Sequence, residues 1–281
     1  MTIRLGQNNY GESRVRFLRV VRQQGRHDVK ELTVDIRFEG KFEEAHAKGE
    51  NRKILPTDTM KNTVYVLARQ YPVEAVEEFC LHLIDHFLTY NSQVSRVEIE
   101  AAENLWARIP HVGKPHASAF TLPGNEKRTA SLSGTREKTV IHAGIENLIV
   151  LKTTKSTFEK FLRDPYTTLK EDPDRMLSTV IRANWLYEGA EIEFGPTWHG
   201  ARQALLETFA EHDSHSLQHT LYAMGEAVLE SFDSIREIRL SLPDRNYSLA
   251  DLEPFGMDNP VEVFIPTEGP HGVIEATLRK D

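Results

Sequence analysis

Cysteine is nearly absent: Cys80 is the only one in 281 residues. A single thiol excludes an intrachain disulfide and, within one subunit, a multi-thiolate metal site. Cys80 lies on the apolar face of VEEFCLHLIDHFL, which marks it as buried packing rather than a nucleophile. No stretch of about 18 uninterrupted apolar residues exists, so a transmembrane helix is not expected. Long Pro, Gly, Ser or like-charge runs are missing as well, and with them any sign of disorder. Basic residues are outnumbered, 34 Lys and Arg against 42 Asp and Glu for a net charge of −8. Phosphate neutralisation needs clustered cations, so no nucleic-acid partner is expected and a small molecule fits better. YGE, EGA and FGP supply no Gly-rich phosphate loop, which leaves nucleotide cofactors without support.

Twelve histidines are present, among them His212, His215 and His219 near metal-ligand spacing and His82 and His86 at i and i+4. No HExxH or Cys-rich pattern accompanies them, and histidines on solvated helical faces are commoner, so no metal is expected. The opening MTIRLGQNNYGE is polar and lacks the apolar core of a secretory signal, and LRKD carries no recognisable address. The expected location is the cytoplasm, with no membrane partner.

What is present is a folded, soluble composition, 40% hydrophobic and 27% charged, long enough for one large domain or two ordinary ones. RVRFLRVVR and KELTVDIRFEG alternate apolar with polar around the turn QQGRHD, an antiparallel hairpin. Two helices follow, over Pro56 to Gln70 and Pro72 to Tyr90; in the second, Val76, Phe79, Cys80, Leu83, Ile84 and Phe87 recur at three- and four-residue spacing. Alternation returns in SQVSRVEIEAAENLWARI and in HASAFTLP as a second pair of strands.

The order begins afresh near Thr139. TVIHAGIENLIVLKTT and TVIRANWLYEG read as strands, then come helices from Pro196 to His212 and Ser214 to Ser231, and REIRLSL, VEVFIPT and GVIEATLRK close the chain as strands. Two units with one order of elements suggest a duplicated α+β fold divided into 1–138 and 139–281. Each antiparallel sheet would have helices on one face only, leaving the other face and both edges to be covered by neighbouring units in a closed barrel. Oligomerisation is therefore expected.

LPTDTMKNTVY, at the start of the first long helix, resembles the urate oxidase signature. FEKFLRDPYTTLKEDPDRMLSTVIRANW resembles that family's second block, and GKPHASAF, TWHGARQALLETFAEHDS with SLQHTLY, and SLP follow in family order. The resemblance implies tandem tunnelling-fold domains in a homotetramer built around a tunnel, with active sites between subunits. It also implies oxidation of urate by O2 to 5-hydroxyisourate and H2O2, without metal, flavin or haem.

Carried over position by position, the resemblance makes Arg175 and Gln218 the residues that pair with the purine's six-membered ring. A guanidinium donates two parallel hydrogen bonds, and an amide offers donor and acceptor together to a lactam edge. Phe158 matches the phenylalanine that stacks on the purine, with Phe161 three residues on and on much the same helix face. Leu217 matches a backbone contact. Thr57 and Asp58 match the pair that a neighbouring subunit brings to the five-membered ring; either residue could instead cap the helix that starts here. A helix N-terminus also suits an anion such as urate.

Four positions depart from the family pattern. Glu12 in YGESRVRF stands where the family carries a lysine that forms a proton relay with the threonine. Asp244, Arg245 and Asn246 stand where it carries Asn-Lys-His after SLP, the asparagine holding O2 or water and the histidine joining the relay. A carboxylate accepts a proton without a relay, but two like unit charges at about 4 Å and an effective dielectric near 20 cost roughly 4 kcal/mol. Glu12 beside urate thus calls for a neutral acid, a salt bridge to Arg14 or Arg16, the compensating charge of Lys61, or another substrate. Ionised Asp244 cannot donate the hydrogen bond of an asparagine. The alternatives to urate oxidation are altered chemistry on a related purine or pteridine, and a non-catalytic purine-binding tetramer.

Overall fold

The computed structural model describes residues 3–189, 191–267 and 269–281. It divides into two compact units: the first runs to Glu146 and takes in Leu186–Trp198, and the second holds Asn147–Trp185 and His199–Asp281.

In the first unit β1 (Tyr10–Gln23) and β2 (Arg26–Gly40) form the expected hairpin. It is longer than the alternating runs indicate, because the turn is only Gln24 and Gly25, the latter at φ +76° where a side chain would be strained. A short helix α1 (Glu43–Lys48) leads to α2 (Thr57–Gln70) and α3 (Val76–Tyr90). After them, β3 (Val94–Asn104) pairs antiparallel with β2. The partner on the other side of β3 is not HASAFTLP. That segment belongs to β5 (Lys114–Thr121), which folds back on β4 (Ala107–His111) as a separate two-stranded hairpin. The neighbour of β3 is β6 (Lys127–Gly134), KRTASLSG, whose alternate residues Arg128, Ala130, Leu132 and Gly134 are buried. Its alternation is carried by small residues and one arginine, so no apolar period announced it.

β6 then pairs with β7 (Thr139–Lys152). The core of this unit is the inner face of β2 (Leu32, Val34, Ile36, Phe38) closed by Phe79, Leu83, Ile84 and Phe87 of α3. Cys80 is fully buried among them, as expected from the helical spacing, and burial raises its thiol pKa. One ion pair is sealed inside the unit: Arg128 Nη2 lies 2.6 Å from Glu77 Oε2, both side chains buried, with the Trp198 ring 5.2 Å from the guanidinium carbon. Burial raises the Glu77 pKa and the neighbouring Arg128 charge opposes it.

In the second unit the strands lie in the order β7, β8 (Leu177–Tyr187), β9 (Ile235–Pro243), β12 (Val273–Arg279). Two helices precede β9, namely α4 (Phe194–Glu211) and α5 (Leu217–Ser231), and α5 packs on β9 and β12. The expected strand VEVFIPT shrinks to β11 (Phe264–Pro266), which pairs only with β10 (Tyr247–Leu249) in a small ribbon. The architecture is α+β, with antiparallel sheets and packed helices in each unit. Among the described residues no helix is long and apolar enough to cross a membrane.

Candidate active site

The residues singled out in sequence fall into two groups, one in each unit. In the second unit three stretches of chain are zipped side by side. Ser156 bridges Ser214, with Thr157 N–H donating to the Ser214 carbonyl at 2.7 Å and Ser214 N–H to the Lys155 carbonyl at 3.0 Å. On the other flank Phe158 and Asp172 exchange backbone hydrogen bonds of 2.8 and 3.2 Å, and Arg175 N–H donates to the Ser156 carbonyl at 2.7 Å. The segment bearing Phe158 therefore lies between the one bearing Arg175 and the one that opens α5. Backbone here is extended, not helical as expected, because these bonds run between segments rather than along one. Phe161 still reaches Phe158 and stacks on it, centroids 5.0 Å apart and planes 15° from parallel.

Arg175 is held over Phe158, its guanidinium carbon 5.1 Å from the ring centroid. Its Nε is buried and has no hydrogen-bond partner among the described residues. An unpaired buried donor is costly, on the order of 1–3 kcal/mol, a cost that an acceptor brought to the guanidinium would offset. α5 begins beside it. Ser216 caps the helix by accepting the His219 N–H at 3.1 Å, which places Leu217, buried, and Gln218, exposed, in the first helical turn.

Asp244 follows directly on β9 and is fixed by its backbone: its N–H donates to the Gly272 carbonyl at 2.8 Å, and the next amide, of Arg245, donates to Ser178 at 2.9 Å. Thr179 Oγ1 donates to the Pro243 carbonyl at 2.8 Å on the near side. Burial raises the Asp244 pKa, and the positive charge of Arg175 opposes that rise. Asn246 is exposed, and its carbonyl accepts both the amide and the hydroxyl of Thr267, at 3.0 Å each.

In the first unit Glu12 sits half-buried beside a bulge that shifts the β1–β2 register between Glu12 and Val15. Arg14, at φ 59°, turns its amide to Asp35 Oδ1 at 2.8 Å, and Arg37 Nη2 donates to Ser13 Oγ at 2.7 Å. The preceding Gly11 is required: a Cβ there would stand 1.8 Å from the Ile36 carbonyl oxygen. Tyr10 OH accepts the Leu55 amide at 2.9 Å, tying the approach to α2 onto β1. Neither Thr57 nor Asp58 caps α2. The N-cap is Pro56, and no side chain accepts from the first turn.

Asp58 instead takes Lys61 Nζ and, at 2.9 Å, Asn62 Nδ2. The Lys61 hydrogen bond and charge lower the Asp58 pKa. Asp58 in turn raises that of Lys61, to which the Glu12 carboxylate adds a smaller contribution. Neither arginine proposed as a partner reaches Glu12: Arg16 pairs with Glu31 at 2.9 Å, and among the described residues Glu12 makes no ion pair.

The model of the family described as Uricase matches residues 8–133 and 141–275. The uricase of Arthrobacter globiformis is 43% identical over 277 residues, 99% of this chain and 90% of that protein. The chain belongs to the uricase family. Uricase of Dictyostelium discoideum is 36% identical, covering 97% of this chain and 96% of its own length, and that of Danio rerio is 34% identical. The crystal structure of the Arthrobacter globiformis uricase superposes with a TM-score of 0.94, covering 100% of this chain and 96% of that one. A urate oxidase structure from Bacillus sp. TB-90, 23% identical with a TM-score of 0.86 over 97% of this chain, bears on the fold alone. The α+β fold is thus that of uricases, which carries the tunnelling-fold expectation with it.

Some residues around the uricase-family positions escaped the sequence reading. His212, His215 and His219 are not separate solvated rings but a contacting set, described below. Among the described residues no group of three or more His, Cys, Asp or Glu side chains is placed to hold a metal. Ser156, fully buried, with its hydroxyl unpartnered among the described residues, carried no motif signal at all.

Proposed function

We propose that this chain is a urate oxidase, joining urate, O2 and water to give 5-hydroxyisourate and H2O2 in purine degradation. The observation that carries the reading is Arg175, poised over Phe158 with an unpaired donor, in a chain that aligns with uricases along nearly its whole length. Arg175 donates to a ring carbonyl and the adjacent nitrogen, Gln218 closes on the lactam edge, the Leu217 amide adds a backbone contact, and Phe158 stacks beneath. Thr57 and Asp58 come from a neighbouring subunit to the five-membered ring, where the uncapped start of α2 suits a urate anion. Glu12 takes the proton with Thr57, its own charge offset by Lys61. Asp244 and Asn246 face the oxygen side.

The working assembly in this reading is a cytoplasmic homotetramer of tandem tunnelling-fold domains, 1–138 and 139–281. It needs no metal, flavin or haem. The kinship with uricases favours urate oxidation over other purine or pteridine chemistry and over a binding-only tetramer. Loss of urate absorbance in aerated buffer, with H2O2 formed and no cofactor added, is the direct test. No turnover at high enzyme concentration would sink it. Glu12→Lys combined with Asp244→Asn and Asn246→His then reports on the departures, since a gain in rate assigns the altered chemistry to those positions.

A further inference from the structure

A run of imidazoles adjoins the first turn of α5. His219 Nδ1 lies 3.2 Å from His212 Nε2, the two rings edge to face at 4.3 Å. The same Nδ1 accepts the backbone amide of His215 at 3.5 Å, and the His215 ring lies parallel to that of His219 at 5.4 Å. His215 Nδ1 is 3.3 Å from Thr157 Oγ1, next in chain to Phe158. The cluster therefore links the end of α4, the linker to α5, the first turn bearing Leu217 and Gln218, and the segment bearing the stacking ring.

Hydrogen-bond logic restricts its protonation. His219 Nδ1 receives an amide N–H and faces a second ring nitrogen, so it must present a lone pair, with His212 donating from Nε2. An imidazolium carries N–H on both nitrogens and accepts nothing. A cation on His219 would also fall in the first turn of α5, where the helix dipole is already positive.

The charged groups packed around the cluster are of both signs. Lys152 donates to the His212 carbonyl at 2.7 Å, Lys155 pairs with Glu211 at 3.2 Å, and Asp213 lies between the rings in sequence. Burial holds His212 below the usual imidazole range, with His219 and Lys152 acting in the same direction and Asp213 against it.

We propose that His219, braced by His212 and His215, is a positioning residue for the urate edge, holding Gln218 and the Leu217 amide in register while its ring is neutral. This rests on the urate reading above. A protonated His219 ring has no acceptor at Nδ1, so in acid the turn loosens and urate affinity declines. The effect lies on binding, since His219 touches no reacting atom.

The test uses the full-length protein, titrated calorimetrically with urate under anaerobic conditions from pH 6.0 to 8.5, with aerobic kcat and KM over the same range. In the wild type, KM should rise several-fold from pH 8 to pH 6, towards a limit of about tenfold for one hydrogen bond fully lost, with kcat following a separate profile. His219→Asn supplies a permanent acceptor near the Nδ1 position, so it should keep the high-pH affinity and flatten the KM profile. His219→Leu should bind about tenfold more weakly at every pH.

Thermal melts without ligand verify that both variants fold, and His212→Gln, which keeps a donor toward Nδ1, should behave like the wild type at high pH. An unchanged urate affinity in His219→Leu, or a pH slope in His219→Asn equal to the wild type, overturns the positioning role alone. Absence of urate binding by the wild type overturns it together with the proposed function.

Discussion

Replacing Arg175 by methionine separates what the residue does for the fold from what it does for the ligand. In the free protein its Nε is a buried donor without a partner among the described residues, so removing it relieves about 1–3 kcal/mol of desolvation cost. Against that stands the contact over Phe158 at 5.1 Å, worth about 0.5–1 kcal/mol, and the loss of the cation that most opposes the raised pKa of Asp244. The sum lies near zero. Methionine fills similar volume, and the unliganded protein should melt within a few degrees of the wild type, given that 1 kcal/mol moves a chain of this size by roughly 2–4 °C.

Urate binding should behave very differently. Two charge-assisted hydrogen bonds at about 1.5–3 kcal/mol each predict an affinity loss on the order of 10²–10³-fold, read by anaerobic calorimetry. A fall in melting temperature beyond about 10 °C would show that Arg175 is a structural residue. Unchanged affinity would show that the donor left free over Phe158 is not the one urate uses, and either result refutes the reasoning.

Other residues give equally direct expectations. Arg128→Met should cost about 3–5 kcal/mol in urea denaturation, because it leaves Glu77 charged or protonated without a partner in the core; Glu77→Leu added to it should recover most of the loss, and a single-variant cost below 1 kcal/mol would argue against a sealed pair. Asp244 has a raised pKa, so its contribution to stability is present below the ordinary aspartate range near 4 and is lost as pH rises through the raised value. Asp244→Asn, which cannot ionise, should therefore gain in melting temperature relative to the wild type as pH rises above about 4, and a difference independent of pH would refute the assignment. Cys80 is buried with its thiol pushed up, so a thiol reagent should leave the native protein unlabelled and modify it only in denaturant.

Where one apolar face is buried, the sequence period was a sufficient guide. Leu32, Val34, Ile36 and Phe38 alternate along β2, and the three- and four-residue spacing of α3 puts Phe79, Leu83 and Phe87 in the core. β6 was missed because Ala130 and Gly134 fill its inward positions with almost no hydrophobic contrast, while HASAFTLP, more apolar to the eye, lies in a side hairpin. At the candidate site, residue types in family order pointed to Arg175 and Gln218. The setting of Phe158 could not be read, because the segment is held by single bridges to Ser214 and Asp172, which leave no period in sequence. The contact of His212 with His219 depends likewise on how the chain turns between α4 and α5. Their spacing, which carried no metal expectation, does not show that the rings hydrogen-bond to one another.

The substitution hardest to reconcile with an anionic substrate, Glu12, is the one whose surroundings the structure explains best. Gly11 lets β1 approach β2 closely, the bulge after Glu12 turns the Arg14 amide to Asp35, and the Arg16 guanidinium pairs with Glu31, while among the described residues Glu12 makes no ion pair. The cation that Glu12 acts on comes from another element. Lys61 is drawn to Asp58 on α2, and the Glu12 carboxylate adds to what keeps it protonated. Tyr10, holding the Leu55 amide, keeps the approach to that helix fixed against the strand that carries Glu12. In the proposed site the like-charge penalty of about 4 kcal/mol between bare Glu12 and urate would be reduced in two ways, by the ammonium and by the uncapped positive end of α2. The same arrangement means that a lysine at position 12 would meet Lys61 as a like charge. Glu12 and Lys61 are therefore electrostatically coupled, and in the proposed site the contribution of each to urate binding should depend on the presence of the other.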